Sequence, residues 1–456
     1  MTNRIKRWAY FLPASMLMIS WGLVIVVRQL PPLSFQAISF SGAFYLLVFF
    51  LACLMGTLVG PSLFSSVKYK PRPEYSLRSV NTKANLLILF TLISSILLIY
   101  KYLSLSGGSS ISLSGVLDLR LERGRDSGDV KGETLSGVFG MAMSGFFIIS
   151  HVFKELFFHE LTAKKRKHLD MAFVIGIFTS FLSGGRFAAA IALTIVFVLR
   201  YVKKKTFLPP VSCEYKTAQT AVKRQRSFFS VLKKTAFAFV VIYLFSAIFI
   251  YKAAGSMDGV GILLVVLTEN FAGISVPVSH LDFLSRNQVF IPVYFVAALT
   301  QYYIGHAFYQ FDVLFNAPYP KSAPYLMQYQ FYIQCLALNK LGFNFMSIQE
   351  ILTEMYNPGV YLGLAGAFVL DFGFYGGVVL AFLFSVFGVQ FWIKFLHQRR
   401  FFDAYVSILF LVLILFSPVV SLVGTGNFPS LLSLAFVVPL FIPKTVNKLK
   451  LQSLRK

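Results

Sequence analysis

Arg186 stands behind two glycines in "SFLSGGRFAAAIAL", residues 180–193, and is the only charge between Asp170 and Arg200. A charge at membrane depth costs about 2.5–3.5 kcal/mol on insertion scales, so such residues face a cavity, a partner or a ligand. The guanidinium stays charged and meets phosphate oxygens two at a time. Three more arginines, Arg120, Arg123 and Arg125, lie in "LDLRLERGRDSGD", interleaved with Asp118, Glu122, Asp126 and Asp129. That stretch reads as a solvated helix with local salt bridges, or as a clamp for phosphate or pyrophosphate. Both readings stay open from the residues alone.

Proton transfer needs a different set. Asp371 lies in "AGAFVLDFGFYGGVVLAF", followed by Gly373, Gly376 and Gly377. It can cap the helix that follows, favouring its positive end, or face a cavity as a base. His280 and His306 are general-base candidates near neutral pH, although a lone histidine is more often simply hydrogen-bonded. Glu269, Asp282, Asp312, Glu350 and Glu354 are further acidic candidates. The tyrosine-rich run "APYPKSAPYLMQYQFYIQ" fits an interfacial aromatic belt better than a sugar-stacking platform. There is no P-loop and no GxGxxG signature, which argues against an ATP-driven pump and against a cytoplasmic sugar-nucleotide enzyme.

The elements that must position these residues are apolar. The chain has 456 residues, 57% hydrophobic and 13% charged, with mean hydropathy +0.71. Soluble domains carry about 25% charged residues. Apolar runs of about 20 residues recur along the chain, without a barrel's alternation. The expected fold is all-α: a polytopic integral membrane protein of about 10–12 transmembrane helices with a large external segment between late spans. The first run, from Trp8, follows a basic start without a small-residue cleavage site and reads as a retained span. Cys53, Cys213 and Cys335 are too scattered for a disulfide framework or zinc site, and no metal or cofactor is expected.

Net charge is +24, but Lys and Arg cluster in short segments between apolar runs. That is the positive-inside pattern of cytoplasmic loops and argues against nucleic acid as a partner. It places both termini in the cytoplasm. It also places an Arg-rich loop at 106–137 outside and a basic loop at 203–234 inside. Segment 253–372 is then mostly external, with re-entrant helices, interfacial helices or an extra pair of spans. Residues 171–202 have basic flanks at both ends. A single helix there would measure about 48 Å against a hydrocarbon core of about 30 Å. A hairpin resolves this, with short arms Met171–Leu182 and Phe187–Tyr201 and "SGGR" as the turn. Arg186 then points into an outward cavity.

The chain resembles the Wzy-type oligosaccharide repeat-unit polymerases of O-antigen, capsule and exopolysaccharide assembly. The resemblance rests on "LSGGRFAAAIALTIVFVL", similar to that family's Gly-Arg-small turn, and on "NPGVYLGLAGAFVLDFGFYGG", similar to its D-F-G-x-x-G entry to a late span. At "TEMYNPGVY" the chain departs from the family's Asn-Val-hydroxyl pattern. The resemblance implies a glycosyltransferase of the bacterial cytoplasmic membrane acting on undecaprenyl-pyrophosphate-linked oligosaccharides. Its implied partners are the bilayer, a flippase and a chain-length regulator. In that chemistry Arg186, with Arg120, Arg123 or Arg125, would hold pyrophosphate, and Asp371, His280 or His306 would take the acceptor's proton. An O-antigen ligase-like transferase and a lipid-linked oligosaccharide flippase or other transporter are the alternatives. A transporter predicts midplane polar groups and repeat symmetry, and neither is visible.

Overall fold

The computed structural model describes residues 7–64, 74–105, 135–182, 186–206, 274–318, 323–354, 362–422 and 428–445. Arg120, Arg123 and Arg125, Glu269, Cys213 and the stretch 355–361 lie outside them. So do most of the 203–234 loop and the beginning of the 253–372 segment.

The described chain is mostly helical. A short 3-10 turn, Arg7–Phe11, leads into α1 (Leu12–Gln29). Pro13 sits in the first turn of α1, where its fixed φ suits the helix and its missing N–H costs nothing. Pro31 and Pro32 follow the C-terminal end and stop it. α2 (Phe40–Phe64) starts at Ser39, whose Oγ accepts from Gly42 N at 3.1 Å, an ordinary N-cap. α3 (Leu77–Leu105) follows, then α4 (Leu135–Met143) and α5 (Phe146–Leu156). Next come α6 (Ala163–Leu182), α7 (Arg186–Thr206), α8 (Val278–Arg286) and α9 (Ile291–Asn316). The chain then runs through α10 (Tyr332–Asn339), α11 (Ile348–Glu354), α12 (Leu364–Gln398), α13 (Phe401–Phe416) and α14 (Phe428–Leu434).

Among the described residues, four helical stretches are long and apolar enough to cross a membrane: Trp8–Gln29, Phe40–Phe64, Leu77–Lys101 and Leu364–Gln398. Large apolar side chains point outward along them, among them Ile19, Leu23 and Val26 on α1 and Phe44, Leu51 and Met55 on α2. Apolar stripes of this extent suit hydrocarbon rather than water. This is a helical membrane protein. Two shorter apolar helices, Ile191–Val202 and Phe401–Phe416, pack beside the long ones.

Several local expectations change. The stretch around 138–158 is not one span but α4 and α5, broken at Ser144–Gly145, and residues 146–154 are buried throughout. α6 and α7, at 20 and 21 residues, are longer than the half-length arms, because the basic ends stay helical. The two helices run back alongside one another. The imidazole of His151 on α5 is within electrostatic range of both Asp170 on α6 and Arg200 on α7. A straight rod would hold those two residues about 45 Å apart. The fold is also not purely helical: β1 (Ser34–Phe35) pairs antiparallel with β2 (Ile274–Ser275). In the 253–372 segment, the apolar patch "VFIPVYFVAAL" leads into α9, a 26-residue helix packed on α1 and α2.

The centre of the bundle is the α2–α12 contact. Gly56 and Gly60 lie four residues apart on one face of α2. A Cβ on Gly56 would fall 2.5 Å from Phe382 O, and one on Gly60 2.7 Å from Val389 Cγ1. Small residues at this spacing let membrane helices approach closely. α12 bends at Gly373, whose φ of 73° and ψ of 175° only glycine adopts readily. Leu364–Asp371 before the bend is buried on every side, and the lipid-facing part begins after it.

Basic chain ends gather on one face. Trp392 Nε1 donates to Ala9 O at 2.8 Å, and Tyr10 Oη lies 3.0 Å from His397 Nε2. Ser76 N donates to Lys444 O at 3.0 Å, and Lys165 bonds Asn85. The C-terminal end of α1 lies at the opposite end of its helix, and the candidate site is there.

Candidate functional site at the Arg28 cavity

Between α1 and α2 lies a cavity of about 710 Å³, within the range of about 300–1,000 Å³ usual for ligand pockets. Its walls are apolar, formed by Met18, Trp21, Gly22, Ile25, Leu47 and Phe50, and its polar end carries Arg28 and Gln36. Ile25 and Leu47 are half exposed on the outer surface of the bundle, so the cavity opens sideways between the helices.

Arg28 is half-buried and firmly placed. Nη1 donates to Gly305 O at 2.7 Å and Nη2 to Gln36 O at 3.0 Å. Its guanidinium carbon lies 4.8 Å from the centroid of the Phe35 ring, a favourable cation–π distance. Asp312 is in electrostatic range. Among the described residues, however, no carboxylate lies within ion-pair distance of Arg28. Two hydrogen bonds leave part of its five-donor fork available to a ligand.

α9 builds this corner. Gln301 is buried and reaches across to the connector after α1. Its Nε2 donates to Val27 O at 3.0 Å, to Leu33 O at 3.2 Å and to Leu30 O, while Oε1 accepts from Leu33 N at 2.7 Å. Gly305, one turn on, lets α9 come close: an added Cβ would lie 2.6 Å from Phe35 Cζ and 3.0 Å from Arg28 Cγ. Asp312, two turns further, accepts from Ser39 N at 2.9 Å and from the Ser39 hydroxyl. Asn316 Nδ2 also donates to it, at 2.9 Å. The carboxylate therefore sits at the positive end of α2, where a negative charge is stabilised.

The residues singled out from the sequence fall into three groups. His280 and His306 belong to this corner. His280 Nδ1 lies 3.2 Å from both Pro32 O and Tyr294 Oη, against the same connector. His306, buried and next to Gly305, has Nδ1 2.9 Å from Tyr302 O and stacks on the Tyr302 ring at 4.9 Å. Asp371 is apart from them. It is fully buried, and its two oxygens accept from Tyr329 N at 3.1 Å and Gln330 N at 3.2 Å. Its own carbonyl accepts from Leu326 N at 3.0 Å. These bonds pin the turn that carries Leu326 and Met327 at positive φ. Arg186 is the first residue of α7, and its side chain lies outside the described residues.

Of the remaining acidic candidates, Glu354 accepts from Tyr325 Oη at 2.7 Å, and Glu350 caps its own helix start through Ser347 N at 2.6 Å. Among the described residues, no group of three or more His, Cys, Asp or Glu side chains is placed to hold a metal ion.

Arg28 was not singled out from the sequence, although a signal was there. It is the only Asp, Glu, Lys or Arg between Arg7 and Lys68, the same isolation that marks Arg186. Its position at the end of an apolar run made it look like an ordinary flank. Searched against known proteins, the chain matches no family model, no curated protein and no solved structure.

Proposed function

We propose that this chain is a glycosyltransferase of the bacterial cytoplasmic membrane, a polymerase of undecaprenyl-pyrophosphate-linked oligosaccharide repeat units. The observation that carries the reading is the Arg28 cavity: apolar walls open sideways from an outward-facing helix pair, ending at a firmly held guanidinium. A polyprenyl chain needs the first feature and a pyrophosphate the second. The resemblance at "LSGGRF" and "DFGFYGG" supports the same chemistry. The basic face around Ala9, His397 and Lys444 takes the cytoplasmic side by the positive-inside rule, which puts the α1–α2 connector outside. The full count of ten to twelve crossings belongs to this reading as well.

In the reaction, a hydroxyl oxygen of one repeat unit forms a bond to the anomeric carbon of another chain's reducing-end sugar. The bond from that carbon to the pyrophosphate oxygen breaks, and undecaprenyl pyrophosphate leaves with the electron pair. The hydroxyl proton passes to a base. Preplaced cations stabilise the charge that grows on the leaving group; Arg28 joins Arg186 and the Arg120, Arg123 and Arg125 cluster in this role. His306 lies on α9, which holds Arg28, and His280 packs against the connector after α1, so proton removal is assigned there. Asp371, with both oxygens bonded to backbone N–H groups, takes the anchoring role.

Deletion in the native host is the test. The polymerase reading expects single capped repeats at the cell surface and no long chains. Repeats trapped on the cytoplasmic side would make the protein a flippase. Full-length polymer that stays on its lipid carrier would make it a ligase.

A further inference from the structure

α8 and the 3-10 turn Gln288–Phe290 that follows it are tied to the α1–α2 connector at a definite depth. His280 Nδ1 lies 3.2 Å from Pro32 O, and Tyr294 Oη donates to the same carbonyl at 3.1 Å. Leu284 packs in a small apolar cluster with Leu33 and Ile274. The α1 span Trp8–Gln29 has 22 residues. As helix that is about 33 Å, close to one hydrocarbon core of about 30 Å, so Gln29 marks the core's edge. Pro32 follows three residues later, a reach of about 10 Å at most. The headgroup layer beyond the core is about 5–8 Å thick on each side. α8 therefore sits at the depth of the membrane surface.

Around its axis α8 divides three ways. Successive residues turn by about 100°. Leu284, the one buried side chain of α8, marks the face packed on the protein. Asp282 and Arg286, both exposed, lie on the opposite side. Phe283 falls on the flank between them. It is half exposed, and its ring lies 5.7 Å from that of Phe290, also half exposed. Two adjoining aromatic rings are thus left open at headgroup depth, on a helix whose charges point another way.

We infer that α8 is a surface anchor whose partner is the bilayer: the Phe283–Phe290 pair enters the headgroup–acyl boundary of the leaflet where α1 ends. Interfacial helices bind in this manner, with aromatic residues sunk about 5–10 Å and charged residues in water. Area argues against a second copy of the chain. Two half-exposed rings offer about 150–250 Å², whereas a stable protein interface takes about 800 Å² from each partner. The anchor holds whichever reaction the protein performs. Through His280 it ties the α1–α2 connector to the membrane surface.

The test is spin labelling of the full-length protein in liposomes of phosphatidylethanolamine and phosphatidylglycerol. Cys213→Ser is the parent, since Cys53 and Cys335 are buried. Phe283→Cys, Phe290→Cys and Asp282→Cys are each labelled with a nitroxide, and thermal unfolding verifies each fold. Power saturation compares collisions with oxygen, which concentrates in lipid, and with a nickel chelate, which stays in water. Labels at 283 and 290 should favour oxygen, and the label at 282 should favour nickel. Either aromatic position decides the matter if the other variant does not fold. Nickel access at 283 and 290 equal to that at 282 would overturn the anchor. Exclusion of both reagents there would overturn it too, because protein would then cover the pair.

Discussion

Arg28 Nη1 and the Gly305 carbonyl meet at 2.7 Å across 277 residues of sequence. That bond joins the first long apolar helix to α9, a helix whose buried face is unusually polar, with Gln301, His306, Gln310 and Asp312. It holds a cation at the end of an apolar cavity instead of letting it extend freely to the surface.

Replacing Arg28 tests what that placement does. Arg28→Gln should slow chain elongation by about 10²–10³-fold, the usual loss when one preplaced group facing growing charge is removed. Arg28→Lys should rescue only partly, because an ammonium cannot span the Gly305 and Gln36 carbonyls as a planar fork does. Polymer length in a deletion strain carrying each variant, normalised to protein in the membrane, measures both.

Gly305→Ala attacks the same junction without touching charge. The added methyl would press on Phe35 and on the Arg28 stem. Overpacking of this kind costs about 1–3 kcal/mol. A lower thermal midpoint in detergent, together with shortened polymer, is the expected pair of results.

Asp312 is expected to matter for folding more than for chemistry. Asp312→Ala leaves Ser39 N without its carboxylate acceptor at the start of α2, while Asn316 Nδ2 keeps Asp312 O and Ser39 Oγ. Losing hydrogen bonds to a charged acceptor of this kind costs about 1.5–3 kcal/mol. Asp312→Asn keeps one carbonyl acceptor and should cost less. Thermal unfolding of the two variants, compared side by side, gives the order.

Asp371 should behave in the same way. Asp371→Ala removes the acceptor for Tyr329 N and Gln330 N in a fully buried site, at a cost of about 1–3 kcal/mol. Limited proteolysis near Leu326 and Met327 should accelerate in this variant and much less in Asp371→Asn. Loss of elongation in a fully folded Asp371→Asn would instead return the base role to this residue.

The sequence made the membrane class and the long spans legible, because 20-residue apolar windows survive any packing arrangement. It also marked the Gly-Gly break before Arg186, where basic flanks on both sides rule out a single crossing. It did not reveal that 138–158 divides at Gly145, since hydropathy is blind to whether an apolar helix faces lipid or protein. α9 was obscured for a related reason. It is about as apolar on average as α1, but hydropathy does not show that Gln301 bonds to the end of α1 and Asp312 to Ser39. Arg28 was hidden by position: a terminal arginine on a span looks like an interface anchor until its partners are known. Asp371 was read with two possible roles, and hydrogen bonds to backbone N–H groups 42 and 41 residues away are not visible in a linear motif.

The most direct measurement is elongation by the purified protein in liposomes supplied with defined undecaprenyl-pyrophosphate-linked repeat units, with product length read on a gel. A ladder of multimers that appears with the wild type and is lost with Arg28→Gln is the predicted result. Repeat units that remain monomeric with folded wild-type protein and a competent substrate would contradict the assignment.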